Sequence, residues 1–379
     1  MQTEGQAALQ AAFDKLRRGA VPLSRVRIVW RQTDGRYLYA VKDPQEAVEL
    51  TADQLEEAEP AMAAILKAEP GAGVLIRSLP EYAYGVTQIR NLRSFRPPLD
   101  DALQMIGGRL ALVGSHESGR IPGIFQRRKA CIVRPSQKRG ESEPFVLTLG
   151  STPLRAAIRV LILEKACRAL IEGTLLGGIK RVSPWHAIRK LAAYPCPEVD
   201  GGLPVSEGES YGRLAHCLNQ LLEENLIQTA PGAVAVRLDE SHFLMARGCG
   251  DDPLTPEGVV RVKIKTLEND GGLAPSFELR LHAAIMNHHA HADCVILTRA
   301  GASSVFAACR QRLDAETGYA PARIGAVMKA LGNSRPTCIL GNRGALVMGE
   351  SVRDTLDRCR ALEDTARRHL SEKVRELRG

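Results

Sequence analysis

The feature that most constrains how this 379-residue chain can fold is that it repeats itself. The segment VLTLGSTPLRAAIRVLILEKACRAL from Val146 matches ALVMGESVRDTLDRCRALEDTARRHL from Ala345. Gly150 and Gly349 are each followed fourteen residues later by a glutamate, Glu164 and Glu363. Upstream, KACIV from Lys129 corresponds to PTCIL from Pro336, and MAAILKAEPGAGVLIRS from Met62 to HAAIMNHHAHADCVILTR from His282. The same order of segments in both halves calls for two copies of one structural plan. The first copy carries longer connections, GSHESGRIPGIFQRR and PSQKRGESEP, which read as loops. The boundary falls in YPCPEVDGGLPVSEGES, residues 194–210, which has neither helix nor strand period. Two domains result, 1–199 and 200–379.

In each domain a helix with apolar residues at i, i+3 and i+4 leads into a short β-branched run, then another helix, two strands and a long terminal helix. The front of the second domain is also legible. YGRLAHCLNQLLEEN reads as a helix, AVAVRLD and HFLMAR as a hairpin around Asp239-Glu240, and VVRVKIK as a further strand. The expected fold class is α/β: two tandem domains, each a mixed or mostly antiparallel sheet covered by helices.

Composition narrows the function classes. No apolar run approaches the roughly 20 residues of a membrane span, and the N-terminal amphipathic pattern lacks an apolar signal core, so a cytoplasmic protein is expected. Nine cysteines without a CxxC pair look like reduced core residues. A net charge of +8 invites a nucleic-acid reading, and the densest basic stretch carries Arg127, Arg128, Lys129, Arg134, Lys138 and Arg139. Its middle is a buried-strand pattern and no aromatic residues interleave with the charges, so a solvated loop is the favoured reading and nucleic acid is not the expected partner. Glycine-rich nucleotide loops are absent, and no cofactor is indicated.

The second domain resembles the class II aldolase/adducin family along nearly its whole length. GAVAVRLDESHFLMARGCGDDPLTPEGVVRV resembles the family hairpin that begins Gly-Asn-(Ile/Val)-Ser and runs into Leu-Thr-Pro-Glu-Asp. APSFELRLHAAIMNHHAHADCVILTRAG resembles its Pro-Ser-Ser-Glu helix and the strand ending His-Thr-His-Pro, and CILGNRGALVMG its Asn-His-Gly turn. RDTLDRCRALEDTAR resembles the closing helix, whereas the first domain resembles only the rear part of the family. The resemblance implies a site in which three histidines hold a divalent metal that polarises a carbonyl, with a glutamate shuttling a proton.

Carried over residue by residue, that site is depleted. The two histidines of His-Thr-His fall on Leu297 and Arg299, and the third on Arg343. The hairpin asparagine falls on Ala233, while Ser276 and Glu278 are retained and the second serine is Phe277. The corresponding strand of the first domain reads Leu75-Ile76-Arg77-Ser78 and its turn RPSQKRGES, so neither copy keeps the three ligands. A leucine cannot coordinate and a guanidinium stays protonated, so no metal site of the family's kind is expected.

Two readings of the arginines stand side by side. Arg299 and Arg343, near Glu278 and with Arg247 of the ARGCGDD loop, would form a cationic hole for a carboxylate or phosphate; or they pair with Glu278 and fill the vacated pocket. The functional expectation is accordingly a non-catalytic scaffold or anion-binding module. The alternative is a metal-independent lyase, isomerase or decarboxylase with Glu278 as acid/base and the arginines replacing the metal's charge. His288, His289 and His291 read as surface or structural histidines, and Cys249 as a small loop residue. Because family enzymes are commonly four-fold rings of single domains, a tandem chain is expected to close as a homodimer, a small anion or a protein being its other partners. If the first-domain insertions at 114–128 and 135–144 cover its outer face, a monomer results.

Overall fold

A computed structural model describes residues 4–135, 143–182, 208–229, 233–246, 258–270 and 276–377. The chain divides into two compact units, one running to Ile171 and the other built from Glu172–Val182 and the described residues from 208 onward. Residues 172–182, assigned by the sequence to the first domain, therefore group with the second, and most of the 194–210 boundary lies outside the described residues.

The first unit holds an eight-stranded sheet: β1 Arg27–Arg31, β2 Tyr37–Val41, β3 Asp43–Leu50, β4 Val74–Ser78, β5 Ser94–Phe95, β6 Leu110–Gly114, β7 Ala130–Arg134 and β8 Phe145–Gly150. Its order is β3-β2-β1-β4-β8-β7-β6-β5. The second unit holds seven: β9 Val234–Arg237, β10 His242–Ala246, β11 Val259–Lys263, β12 Cys294–Thr298, β13 Gly318–Ala320, β14 Thr337–Leu340 and β15 Gly344–Gly349, in the order β11-β10-β9-β12-β15-β14-β13. The two orders superimpose strand for strand, with β5 the addition. Each sheet is antiparallel except for one parallel pair, β6 with β7 and β13 with β14, at corresponding places. Both units are thus α/β with mixed, mostly antiparallel sheets, and the repeat seen in the sequence is a repeat of topology.

Alternation along the strands sends side chains to two helical layers. In the first unit Val29, Leu75, Leu147 and Leu149 pack with Met62, Ile65 and Leu66 of α3 (Pro60–Ala68) and Phe125 of α6 (Ile121–Phe125). On the opposite face Ile28, Val74 and Ile76 meet Leu9 and Phe13 of α1 (Glu4–Arg18) and Val160 of α7 (Pro153–Glu172). In the second unit Ala235, Val295, Leu297, Leu346 and Met348 pack on α9 (Phe277–His288) and α11 (Ile324–Leu331).

The repeated glutamates have a structural task. Glu164 accepts hydrogen bonds from the Tyr82 and Ala83 backbone N–H groups at 2.6 and 2.8 Å, at the start of α4 (Glu81–Thr87). On α12 (Val352–Glu376), Glu363 does the same for Ala302 and Ser303, at 2.7 and 2.9 Å, opening α10 (Gly301–Cys309). Neither helix has a side-chain N-cap of its own, so a carboxylate from the terminal helix satisfies two of its orphan donors and meets the positive end of its dipole. The glycine fourteen residues earlier lets the helix approach: a Cβ at Gly150 would lie 2.6 Å from the Ala156 nitrogen, and one at Gly349 2.6 Å from Thr355 Oγ1.

Candidate functional site

At the start of α9, Ser276 takes the N-cap position, its Oγ accepting from the Leu279 N–H at 3.1 Å. At the other end Arg237 donates to the Ala292, Met286 and His289 carbonyls at 2.9, 2.8 and 3.3 Å. The helix is pinned at both ends, which fixes Glu278 in its first turn over the strand ends. Ser276, carried as a ligand-binding candidate, is thus engaged as a cap.

The Asn342-Arg343-Gly344 turn delivers the arginine. Asn342 adopts the left-handed region, φ +64°. Its Oδ1 accepts from Arg310 Nε at 2.9 Å, its Nδ2 donates to the Lys180 carbonyl at 3.0 Å, and its backbone N–H donates to the Ala307 carbonyl at 2.8 Å. Gly344 has φ +137°, and a Cβ there would collide with the Thr298 carbonyl oxygen. The backbone leaves Arg343 one course, inward.

Arg343 is 5% exposed and donates from Nη1 to Glu278 Oε1 at 2.5 Å, while its guanidinium lies 3.9 Å from the centre of the Phe277 ring. Arg299, 15% exposed, brings Nη2 to 3.9 Å from the same carboxylate oxygen. Three of the residues singled out by the sequence, Glu278, Arg299 and Arg343, therefore converge. The role of Phe277 was not read from the sequence: it appeared there only as the loss of a serine, yet its ring is the platform for the guanidinium. Ala233 and Leu297 are fully buried side by side, with the Leu297 N–H donating to the Ala233 carbonyl at 2.7 Å.

Arg247 and Cys249 lie outside the described residues. His288, His289 and His291 stack edge to face, with ring centres 4.8 and 5.6 Å apart, and His289 is buried. Burial lowers the His289 pKa, and the flanking His288 and His291 lower it further. Among the described residues no group of three or more His, Cys, Asp or Glu is arranged to hold a metal ion. The described cysteines with free thiols, Cys217, Cys294 and Cys359 among them, are buried; the hydrogen bond with Cys217 and then burial hold the Cys294 thiol well above its usual range, and burial does the same for Cys359.

Residues 212–370 match the model of the class II aldolase and adducin N-terminal domain. The second unit is a class II aldolase/adducin-like domain. Among solved structures, similarities include YgbL from Klebsiella pneumoniae, described as a putative aldolase/epimerase/decarboxylase, at 15% identity over 48% of this chain and 95% of that one, TM-score 0.40. An L-fuculose 1-phosphate aldolase is 19% identical over 45% of this chain and 90% of that one, TM-score 0.40. An aldolase II superfamily protein from Pseudomonas syringae is 19% identical over 46% and 81%, TM-score 0.38. No curated protein matches the chain.

The metal this family's resemblance implies does not fit the residues present. At the positions that the resemblance assigns to its three nitrogen donors stand a buried aliphatic side chain and two permanently protonated guanidiniums, one of them paired to Glu278 at 2.5 Å.

Proposed function

We propose that the second unit is a non-catalytic module that binds a small carboxylate or phosphate beside Arg299 and Arg343, without the metal-dependent carbon–carbon chemistry its family resemblance suggests. The observation that carries this reading is the ion pair at 2.5 Å between Arg343 and Glu278 with Arg299 at 3.9 Å, which brings two guanidiniums together in a mostly buried setting. Two guanidiniums in a mostly buried setting favour an anion, because a guanidinium presents paired donors that match planar carboxylate or phosphate oxygens.

Titration calorimetry of the full chain, metal-free, with inorganic phosphate and with malonate tests the reading. Binding is expected, weakened at least tenfold in Arg299→Met, and elemental analysis should find no stoichiometric zinc, manganese or iron. Cleavage of a ketose 1-phosphate by the metal-free chain, abolished in Glu278→Gln, would replace this reading with a metal-independent lyase.

A further inference from the structure

The first unit carries a second arginine constellation, at the topological counterpart of the site just described but built from different positions. Strands β1 and β4 pair with Ile28 opposite Ile76, and β9 and β12 pair with Val234 opposite Ile296. One residue on from these pairs, the second unit has Ala233 and Leu297. At the same two places the first unit has Arg27 and Arg77, directly opposite each other across the strands. Both donate to Glu59, Arg27 through Nη1 to Oε1 and Arg77 through Nη1 to Oε2 at 3.2 Å. Glu59 is 3% exposed at the start of α3, and the Tyr39 hydroxyl donates to its Oε1 at 3.1 Å. The Phe145 ring lies 4.2 Å from the Arg77 guanidinium.

Like charges directly opposite on neighbouring strands repel. Among the described residues a single carboxylate answers these two cations, leaving one net positive charge over the strand ends. Each guanidinium has five N–H donors. Among the described residues, only one from Arg27 and one from Arg77 meets a protein acceptor, Glu59, and their side chains are 41% and 24% exposed, so the remaining donors are reachable from solvent. Burial, with the Glu59 charge adding to it, pushes the Tyr39 phenol up to about 12, so it stays a donor at physiological pH. Glu59 thus works as a clamp that holds the two cations side by side.

We propose that Arg27 and Arg77 form a binding site for a small oxyanion, a carboxylate or a phosphate, in the first unit, with Glu59, Tyr39 and Phe145 as positioning residues. The site is independent of that around Arg343. The two cations span a pair of oxygens on one ligand group, the recognition at which arginine excels.

Phenylglyoxal labelling of the wild-type full chain, mapped by mass spectrometry, reads the site without any substitution. Inorganic phosphate and malonate, each to about 20 mM to cover a millimolar Kd, are expected to slow modification of Arg27 and Arg77 several-fold relative to chloride at equal ionic strength. Protection by only one of the two names the ligand class. In parallel, binding stoichiometry should fall by one equivalent in Arg27→Gln/Arg77→Gln, with the equivalent sensitive to Arg299→Met retained. Unchanged labelling of Arg27 with both oxyanions overturns the proposal, as does an unchanged stoichiometry in the folded double variant.

Discussion

Replacing Arg343 by methionine removes the guanidinium from a pocket where it is 5% exposed and leaves Glu278, 16% exposed, without its 2.5 Å partner. Stranding one member of a buried pair costs roughly 3–5 kcal/mol, and the Arg299 guanidinium, 3.9 Å away, can answer part of the charge, which brings the expected loss to about 2–3 kcal/mol. Giving up the stack on Phe277 adds about 1 kcal/mol. In a unit of this size a loss of about 3 kcal/mol lowers Tm by roughly 6–12 °C. The decisive measurement is a double-mutant cycle with Glu278→Met, read by calorimetry and by hydrogen exchange over residues 277–288. Arg343→Met/Glu278→Met removes both members of this pair and leaves Arg299, so it should recover part of the loss, giving a coupling of about 2 kcal/mol. An effect of Arg343→Met within about 0.5 kcal/mol, additive with Glu278→Met, would mean a solvent-screened pair and would refute the closed pocket.

Glu363→Ala should destabilise the second unit by about 3 kcal/mol, because two buried N–H groups at the head of α10 lose their acceptor; denaturant melts measure it, and a loss under 1 kcal/mol rejects the clasp. For Glu164, burial raises the pKa from 4.5 to about 7, so the folded state binds the extra proton between those values. The contribution of this group to stability is therefore greatest at low pH and falls by about 3 kcal/mol as pH rises from 4.5 to 7; Glu164→Gln should flatten that slope in urea melts at pH 5 and 8. Gly344→Ala is expected to yield little folded protein, since its φ of +137° and the Thr298 carbonyl leave no room for a methyl group; a wild-type melting curve would contradict this. Light scattering coupled to size exclusion should give a mass near two chains if the tandem units close a pseudo-four-fold ring, and a mass near one chain rejects the ring.

The repeat, the element order of the second unit and the meeting of Glu278, Arg299 and Arg343 were legible because each sits on a turn or helix start whose position local sequence marks. Asn342-Arg343-Gly344 is such a case: a left-handed asparagine and a glycine that tolerates positive φ announce the turn. The first-unit constellation was not legible, although Arg77 was noted at its strand end. Aligning Met62 with His282 puts Ala58, not Glu59, opposite Glu278, so the carboxylate is one residue away from where the repeat would look for it. Its partners come from residues 18 and 32 positions distant, a pairing that only the strand register reveals. Likewise Glu164 and Glu363 were visible as a matched pair, but their targets, about 82 and 61 residues upstream, were not.

The order of strands also sets the order in which the second unit can be completed on the ribosome. β15 is the fifth of seven strands counted from the β11 edge: it lies between β12 and β14 yet spans Gly344–Gly349, the last strand made. Until it emerges, the block β11-β10-β9-β12 and the pair β14-β13 have no shared hydrogen-bonded neighbour, and β12, Cys294–Thr298, whose five residues are all buried in the finished unit, offers an open edge to any passing strand. Nascent chains stopped just before Gly344 would therefore be the ones that depend on chaperones, and the interval of risk ends when six residues and the helix bearing Glu363 close the gap.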